Sequence, residues 1–281
     1  MNEMFSFRRA VFGLLVVTGS GMAASAPALV IAEKASGRVG FYDTAGKVIG
    51  EVPVGLHPHE MTFSADGKWL FTTDNGVMIM TSKDAGENTV SIVDVAKRAK
   101  TGVVDLGGHR RPHGIDFDPA TGHVLVTTEL PSALLIVDPA SRTVIDTYDV
   151  QGKAPHMVRL ARDHRTAWVT CTDTGNVSII DLPSRKVATL PVGARPQGIV
   201  FSPDGNRVYV ANSDGHTVTV IDAVTRNLIG EIPVGGEHSG PVRVAISPDG
   251  NTAIAALQLD HGVSFSNTAT RKEEKVIPLP G

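Results

Sequence analysis

Between Ser202 and Gly235 the chain alternates apolar and polar residues in short bursts separated by turn residues. Val, Ile and Thr dominate the bursts, and a period of two with β-branched residues predicts strands rather than helices. The pattern places strands at Gly198–Phe201, Val208–Ala211, Val218–Ile221 and Leu228–Ile232. Pro203-Asp204-Gly205 supplies a turn signal, and Asn212 to Gly215 a loop signal.

This four-strand unit recurs along the chain. The residues closing its third strand are Asp43, Asp94, Asp138, Asp181, Asp222 and Asn267, spaced about 41–51 residues apart. One such unit leaves both faces uncovered, so copies must stack to bury them, which predicts an all-β fold: a β-propeller of four-stranded antiparallel blades. Six blades are represented. The chain opens with a second strand (Ala28 to Ala32) and stops after a fourth (Val276 to Leu279), so the inner strand that would close the ring is expected to be absent. Either the frame is truncated or the ring closes imperfectly, with an exposed edge open to pairing.

Val208-Tyr209-Val210-Ala211-Asn212, with S-P-D-G before it and V-I-D and I-P-V-G after it, resembles the bacterial YVTN-type β-propeller repeat family. The resemblance covers essentially everything after residue 28. It implies a frame that is generally seven-bladed, so this chain would lack one further repeat. More distantly, the chain is similar to the propeller of the nitrite reductase that holds a d-type haem and to propellers of the 6-phosphogluconolactonase type. The resemblance specifies fold better than activity.

Composition changes the picture modestly. With 42% hydrophobic residues and 20% charged over 281 residues, the chain can bury a large core as one propeller domain, 29–281. A net charge of -3 leaves no basic footprint for nucleic acid. Met1 to Ala28 reads as a signal peptide: Arg8 and Arg9, an apolar stretch through Val17, then small residues with candidate cuts after Ala23, Ala26 or Ala28. The paired arginines also fit the twin-arginine export pattern, and an uncleaved anchor is the alternative. A periplasmic or secreted protein is expected, with no membrane-spanning segment beyond the leader. Cys171 is the single cysteine, which excludes an internal disulfide.

Candidate chemistry emerges where the copies differ. Aligned on the proline opening each inner strand, they read Pro58-His59, Pro112-His113, Pro155-His156, Pro196-Gln197 and Pro241-Val242. In a propeller this position lies near one mouth of the central channel, so His59, His113 and His156 form a candidate metal or cofactor site with Met157 beside them. Imidazole and thioether suit copper or a haem-type tetrapyrrole. The plainer reading is that histidine merely starts a strand at a wet loop, with Met61 as core filler, although Met157 aligns with the variable positions Glu60, Gly114, Gly198 and Arg243.

Glu60, Asp116 and Arg159 fall on inner strands of three adjacent blades and are the candidate catalytic groups; with Asp74, Glu129, Asp173 and Asn212 after second strands on the same mouth, the oxygen ligands among them suit calcium or the polarising of a lactone carbonyl. The longest insertion, Gly76 to Glu87 with Met78 and Met80, is the candidate surface for a protein partner. Three functions follow from these features: a non-catalytic exported protein binding a partner, small ligand, metal or tetrapyrrole at the channel mouth; a lactonase-like hydrolase; or a structural interaction module.

Overall fold

Alternating apolar side chains need a second layer to cover them, and every described repeat meets that need with a sheet. The computed structural model describes residues 11–12, 27–79 and 81–280. They form six four-stranded sheets, and the fold class is the all-β propeller. In chain order the strands of the first sheet are Val11–Phe12, Leu29–Glu33, Arg38–Tyr42 and Val48–Pro53. The second has Pro58–Phe63, Trp69–Asp74, Thr89–Asp94 and Ala99–Asp105, and the third Arg110–Phe117, Val124–Leu130, Ser132–Asp138 and Thr143–Tyr148. The fourth has Pro155–Leu160, Thr166–Cys171, Asn176–Asp181 and Lys186–Pro191, and the fifth Pro196–Phe201, Arg207–Asn212, Thr217–Asp222 and Leu228–Pro233. Pro241–Ile246, Thr252–Leu257, Gly262–Asn267 and Lys272–Pro278 complete the sixth.

One expectation is corrected. The innermost place in the first sheet is filled, by Val11–Phe12, which pairs antiparallel with Ala32 and Glu33. An open strand edge carries unpaired N–H and C=O groups, and a strand-prone segment from earlier in the chain satisfies part of it. Residues 1–10 and 13–26 of the predicted leader, with Met80, lie outside the described residues.

The chain divides into two compact units, the first running to Val126 and taking in Leu135–Asp146, the second holding Thr127–Leu134 and Thr147 onward. In the first, Val30, Val39, Phe41, Leu70 and Val93 form an apolar cluster. In the second, Trp168, Ile179, Ile199 and Val210 form one cluster, and Tyr209, Val220 and Ile232 another. The second strand Thr166–Cys171 is buried along its whole length, whereas the fourth strand Lys186–Pro191 has no fully buried residue. Packing therefore concentrates on the middle strands.

Two turns repeat. His57, Arg111, Ala154 and Arg195, each directly before a proline that opens a strand, take φ of 51–53°. A proline disfavours the right-handed helical region for its predecessor, and the left-handed region turns the chain sharply into the next inner strand. The second turn follows the third strand, where the closing acid caps its successors. Asp222 Oδ1 accepts from the N–H groups of Val224 (3.0 Å) and Thr225 (2.7 Å), and Asp181 Oδ1 from Ser184 (2.9 Å). These bonds hold both carboxyls below the usual range.

Four residues after each of these caps stands an arginine with φ between 51 and 60°: Arg98, Arg142, Arg185, Arg226 and Arg271. That conformation costs a non-glycine residue about 1–2 kcal/mol, so the side chain must return something. At Arg98, Arg142 and Arg185 it reaches the fourth strand of the preceding sheet. Arg98 Nη1 donates to Ile49 O, Arg142 Nη2 to Thr101 O at 3.1 Å, and Arg185 Nη2 to Thr147 O at 2.5 Å, with its guanidinium 4.3 Å from the Tyr148 ring centre. Room for the guanidinium comes from a missing side chain: a Cβ on Gly102 would sit 2.8 Å from Cζ of Arg142.

Candidate functional site

The inner strands carry an irregularity that positions the candidate histidines. Pro58 pairs with Asp74, yet the next pair is Met61 with Thr72, so His59 and Glu60 together face Thr73. The same shift puts His156 and Met157 opposite Thr170, and Gln197 and Gly198 opposite Ala211. Two residues opposing one is a β-bulge, which bends the strand and re-aims its side chains.

Bulged main chain loses ladder bonds, and a threonine hydroxyl supplies the replacement. Thr73 Oγ1 accepts from Glu60 N–H at 3.1 Å and donates to His113 O at 2.9 Å. Thr170 Oγ1 accepts from Met157 N–H at 3.0 Å and donates to Gln197 O at 2.7 Å. Thr127 Oγ1 donates to His156 O at 2.7 Å. Each hydroxyl thus ties one inner strand to the next through main-chain atoms, and the side chains at the bulge are left to do other things.

In the first unit this brings three candidates together. The His59 and His113 rings lie 3.8 Å apart centre to centre at 45°, and His59 Nδ1 is 3.3 Å from Glu60 Oε1. His113 is 1% exposed and Glu60 8%. The result is a carboxylate–imidazole–imidazole row, partly open at His59, that can donate and accept hydrogen bonds in a sheltered place. Asp116, on the same inner strand as His113, accepts from the N–H of Phe117 at 3.1 Å.

The other candidates belong to the second unit. His156 is buried at 3% exposure. Met157, expected beside the histidines as a thioether ligand, is 2% exposed and joins the apolar cluster of Trp168 and Ile199. It shares the bulge position of Glu60, and there its apolar side chain packs into the cluster where Glu60 pairs with His59. Arg159 donates from Nη1 to the neighbouring Val158 O at 2.9 Å. Among the described residues no group of three or more His, Cys, Asp or Glu is arranged to hold a metal ion.

The insertion between Gly76 and Glu87 is held next to this row. Arg111, buried and directly before Pro112-His113, donates from Nη2 to Ser82 O (2.6 Å) and from Nε to Asp84 O (3.1 Å). Arg110 Nη1 donates to Gly86 O at 2.9 Å, and Asn75 Nδ2 to Pro112 O at 3.2 Å. Val77 is buried, while Met78 and Ile79 stand exposed at 43% and 62%. Sequence patterning located the loop but not its clamp, although the Arg110-Arg111 pair sits in plain view before the proline.

Opposite Pro58 lies Asp74, with no exposed surface, accepting from Gly55 N–H (2.9 Å), Thr89 Oγ1 (2.8 Å) and Ser91 Oγ (2.7 Å). Burial pushes its carboxyl up to about 6 against the pull of those three donors. Cys171 and Asn212 hold the equivalent places in the fourth and fifth sheets. Burial raises the Cys171 thiol to about 11, which removes it as a nucleophile. In the sixth sheet Arg243 occupies the register position of Glu60, and desolvation lowers it to about 10, still cationic at neutral pH.

Comparison with known proteins follows the same lines. A family model described as "Choice-of-anchor I domain" matches residues 17–189. The uncharacterized protein YncE of Salmonella typhimurium is 25% identical over 161 residues, 52% of this chain and 45% of that relative. The chain thus spans less than half the length of that curated relative. Among solved structures, Kuenenia stuttgartiensis hydrazine synthase matches with a TM-score of 0.75 at 17% identity, covering 95% of this chain and 90% of that one. Virginiamycin B lyase from Staphylococcus aureus matches with a TM-score of 0.78 at 15% identity, covering 96% and 85%. At such identities the two structures share the fold with this chain.

Proposed function

The chain belongs to the choice-of-anchor I domain family, and from that premise we propose that it is an exported, non-catalytic binding protein. It presents His59, Glu60 and His113 to a small polar ligand or to a polar group of a partner. Export is supported by the leader-like composition of residues 1–28 and by a family described through its anchoring. The contact between the His59 and His113 rings, with the Glu60 carboxylate 3.3 Å from His59, carries the binding reading.

The Gly76–Glu87 loop is the second contact surface in this reading. Arg111, directly before Pro112-His113, holds it through Ser82 O, and Met78 and Ile79 offer exposed apolar area on it. Binding residues are commonly carried on loops that a rigid scaffold positions.

The test is purification of the chain from the envelope fraction of an exporting cell, followed by native mass spectrometry. A bound species carried by the wild type and lost in His59→Ala/His113→Ala supports the proposal. Identical spectra for both proteins would retire it, leaving the loop as the remaining contact surface.

A further inference from the structure

At the opposite end of the second strand from Asp74, the first unit contains a cleft of about 380 Å³ that the histidine row does not touch. Phe71 and Ile92 line it, Trp69 stands 37% exposed against it, and Pro139, Ala140 and Arg142 complete the wall. Phe71 is backed by Phe117 in a stacked arrangement, ring centres 6.0 Å apart and 7° from parallel. The lining is apolar and aromatic, with a single cation and no carboxylate.

The second unit repeats the architecture with different chemistry, and the contrast is informative. Its equivalent cleft, also about 380 Å³, sets Arg162 and Arg226 beside Asp163 and Asp204. Charge there is matched within the protein. In the first unit Arg142 has no such partner in the lining, and the nearby Asp94 and Asp138 carboxylates accept from their own turns, at Lys97 N–H and Ala140 N–H. One N–H on Nη2 goes to Thr101 O, while a guanidinium carries five.

Trp69 puts an aromatic ring where the fourth, fifth and sixth sheets carry polar residues. Its place, opposite the capping Asp or Asn, is held by Thr166, Arg207 and Thr252 in the fourth, fifth and sixth sheets. A half-exposed indole facing a pocket costs solvation that a polar residue would avoid, and it offers a flat face for stacking. We propose that this cleft binds a small fused-ring aromatic carboxylate, its ring between Trp69 and the Phe71 side and its carboxylate on Arg142. Charge complementarity and volume select this occupant: the site suits one or two rings, and the guanidinium prefers a planar bidentate anion.

Equilibrium dialysis of the full chain against 2-naphthoate tests it. Wild type is expected to bind with a Kd below about 1 mM. Trp69→Thr, which installs the residue that Thr166 already places in the frame, should bind at least about tenfold more weakly while keeping the wild-type melting temperature within about 2 °C. Neutral 2-naphthamide should also bind about tenfold more weakly to wild type, which separates the Arg142 contact from plain hydrophobic uptake. No saturable binding below about 1 mM, equal affinity in Trp69→Thr, or equal affinity for acid and amide would each overturn the assignment. None of these readings depends on His59 or His113.

Discussion

The guanidinium of Arg142 donates from Nη2 to the main-chain oxygen of Thr101 across 3.1 Å, joining the third-strand turn of one sheet to the outer strand of the sheet before it. Arg142 itself stands at φ 60°, a conformation that asparagine or glycine adopts at less cost. Arg142→Asn keeps the backbone nearly at ease and removes the bond, so it isolates the contribution of the staple. An exposed hydrogen bond of this kind contributes about 0.5–1.5 kcal/mol, and urea denaturation should show a loss of that order. Arg142→Gly should lose less, because relief of the backbone offsets part of the missing bond.

Asp74 makes stability depend on pH in an unusual direction. A carboxyl raised from 3.8 to about 6 binds its proton more tightly in the folded chain than in the unfolded one. Its ionisation penalty is absent below about pH 4, grows between about 4 and 6, and is fully present above that range. A rise of that size corresponds to about 3 kcal/mol. Asp74→Asn installs the residue that Asn212 provides in the fifth sheet, where its amide donates to Thr217 and Thr219. Chemical denaturation at pH 4 and pH 7 should therefore show a smaller fall in stability between the two values for the variant than for wild type.

Thr73→Val removes the hydroxyl that accepts from Glu60 N–H and donates to His113 O. Leaving those two buried main-chain groups without it should cost about 1–3 kcal/mol. Thr170→Val removes the corresponding bridge in the second unit and should cost a similar amount. Only the first substitution should also alter ligand retention in the native mass spectrum, since only it touches the strands carrying His59 and His113.

The loop clamp is open to proteolysis. Arg111→Ala removes the donors to Ser82 O and Asp84 O, and Lys83 between them is already exposed. Trypsin should then cut after Lys83 about tenfold faster than in wild type, read by mass spectrometry of early digests. An unchanged cleavage rate would show that Asn75 and Glu87 hold the loop without the arginine.

How much of this was readable in advance depends on whether a feature lives in side-chain periodicity or in backbone conformation. Strands such as Arg207–Asn212 and Thr217–Asp222 were legible because alternation and β-branched residues mark them directly. The position of each histidine one residue after a proline was legible for the same reason. The bulge that sets His59 and Glu60 opposite Thr73 is a shift in pairing, and no composition signal announces it. Met157 illustrates the cost: it occupies the same bulge position as Glu60, yet packs in the apolar cluster of Trp168 and Ile199. The arginine turns were equally hidden, since Arg98, Arg142 and Arg185 read as ordinary surface charge until their positive φ gives them a direction. The filled edge of the first sheet came from residues assigned to a leader, which no count of repeats includes.

The threonine bridges have a consequence for how this scaffold can change. Because Thr73, Thr127 and Thr170 hold neighbouring inner strands by backbone oxygens, the side chain at each adjoining position carries little of the architecture. Histidine, histidine and glutamine already occupy the acceptor positions 113, 156 and 197. Such positions behave as interchangeable sockets, where recognition can drift or be redesigned one residue at a time while the frame stays in register.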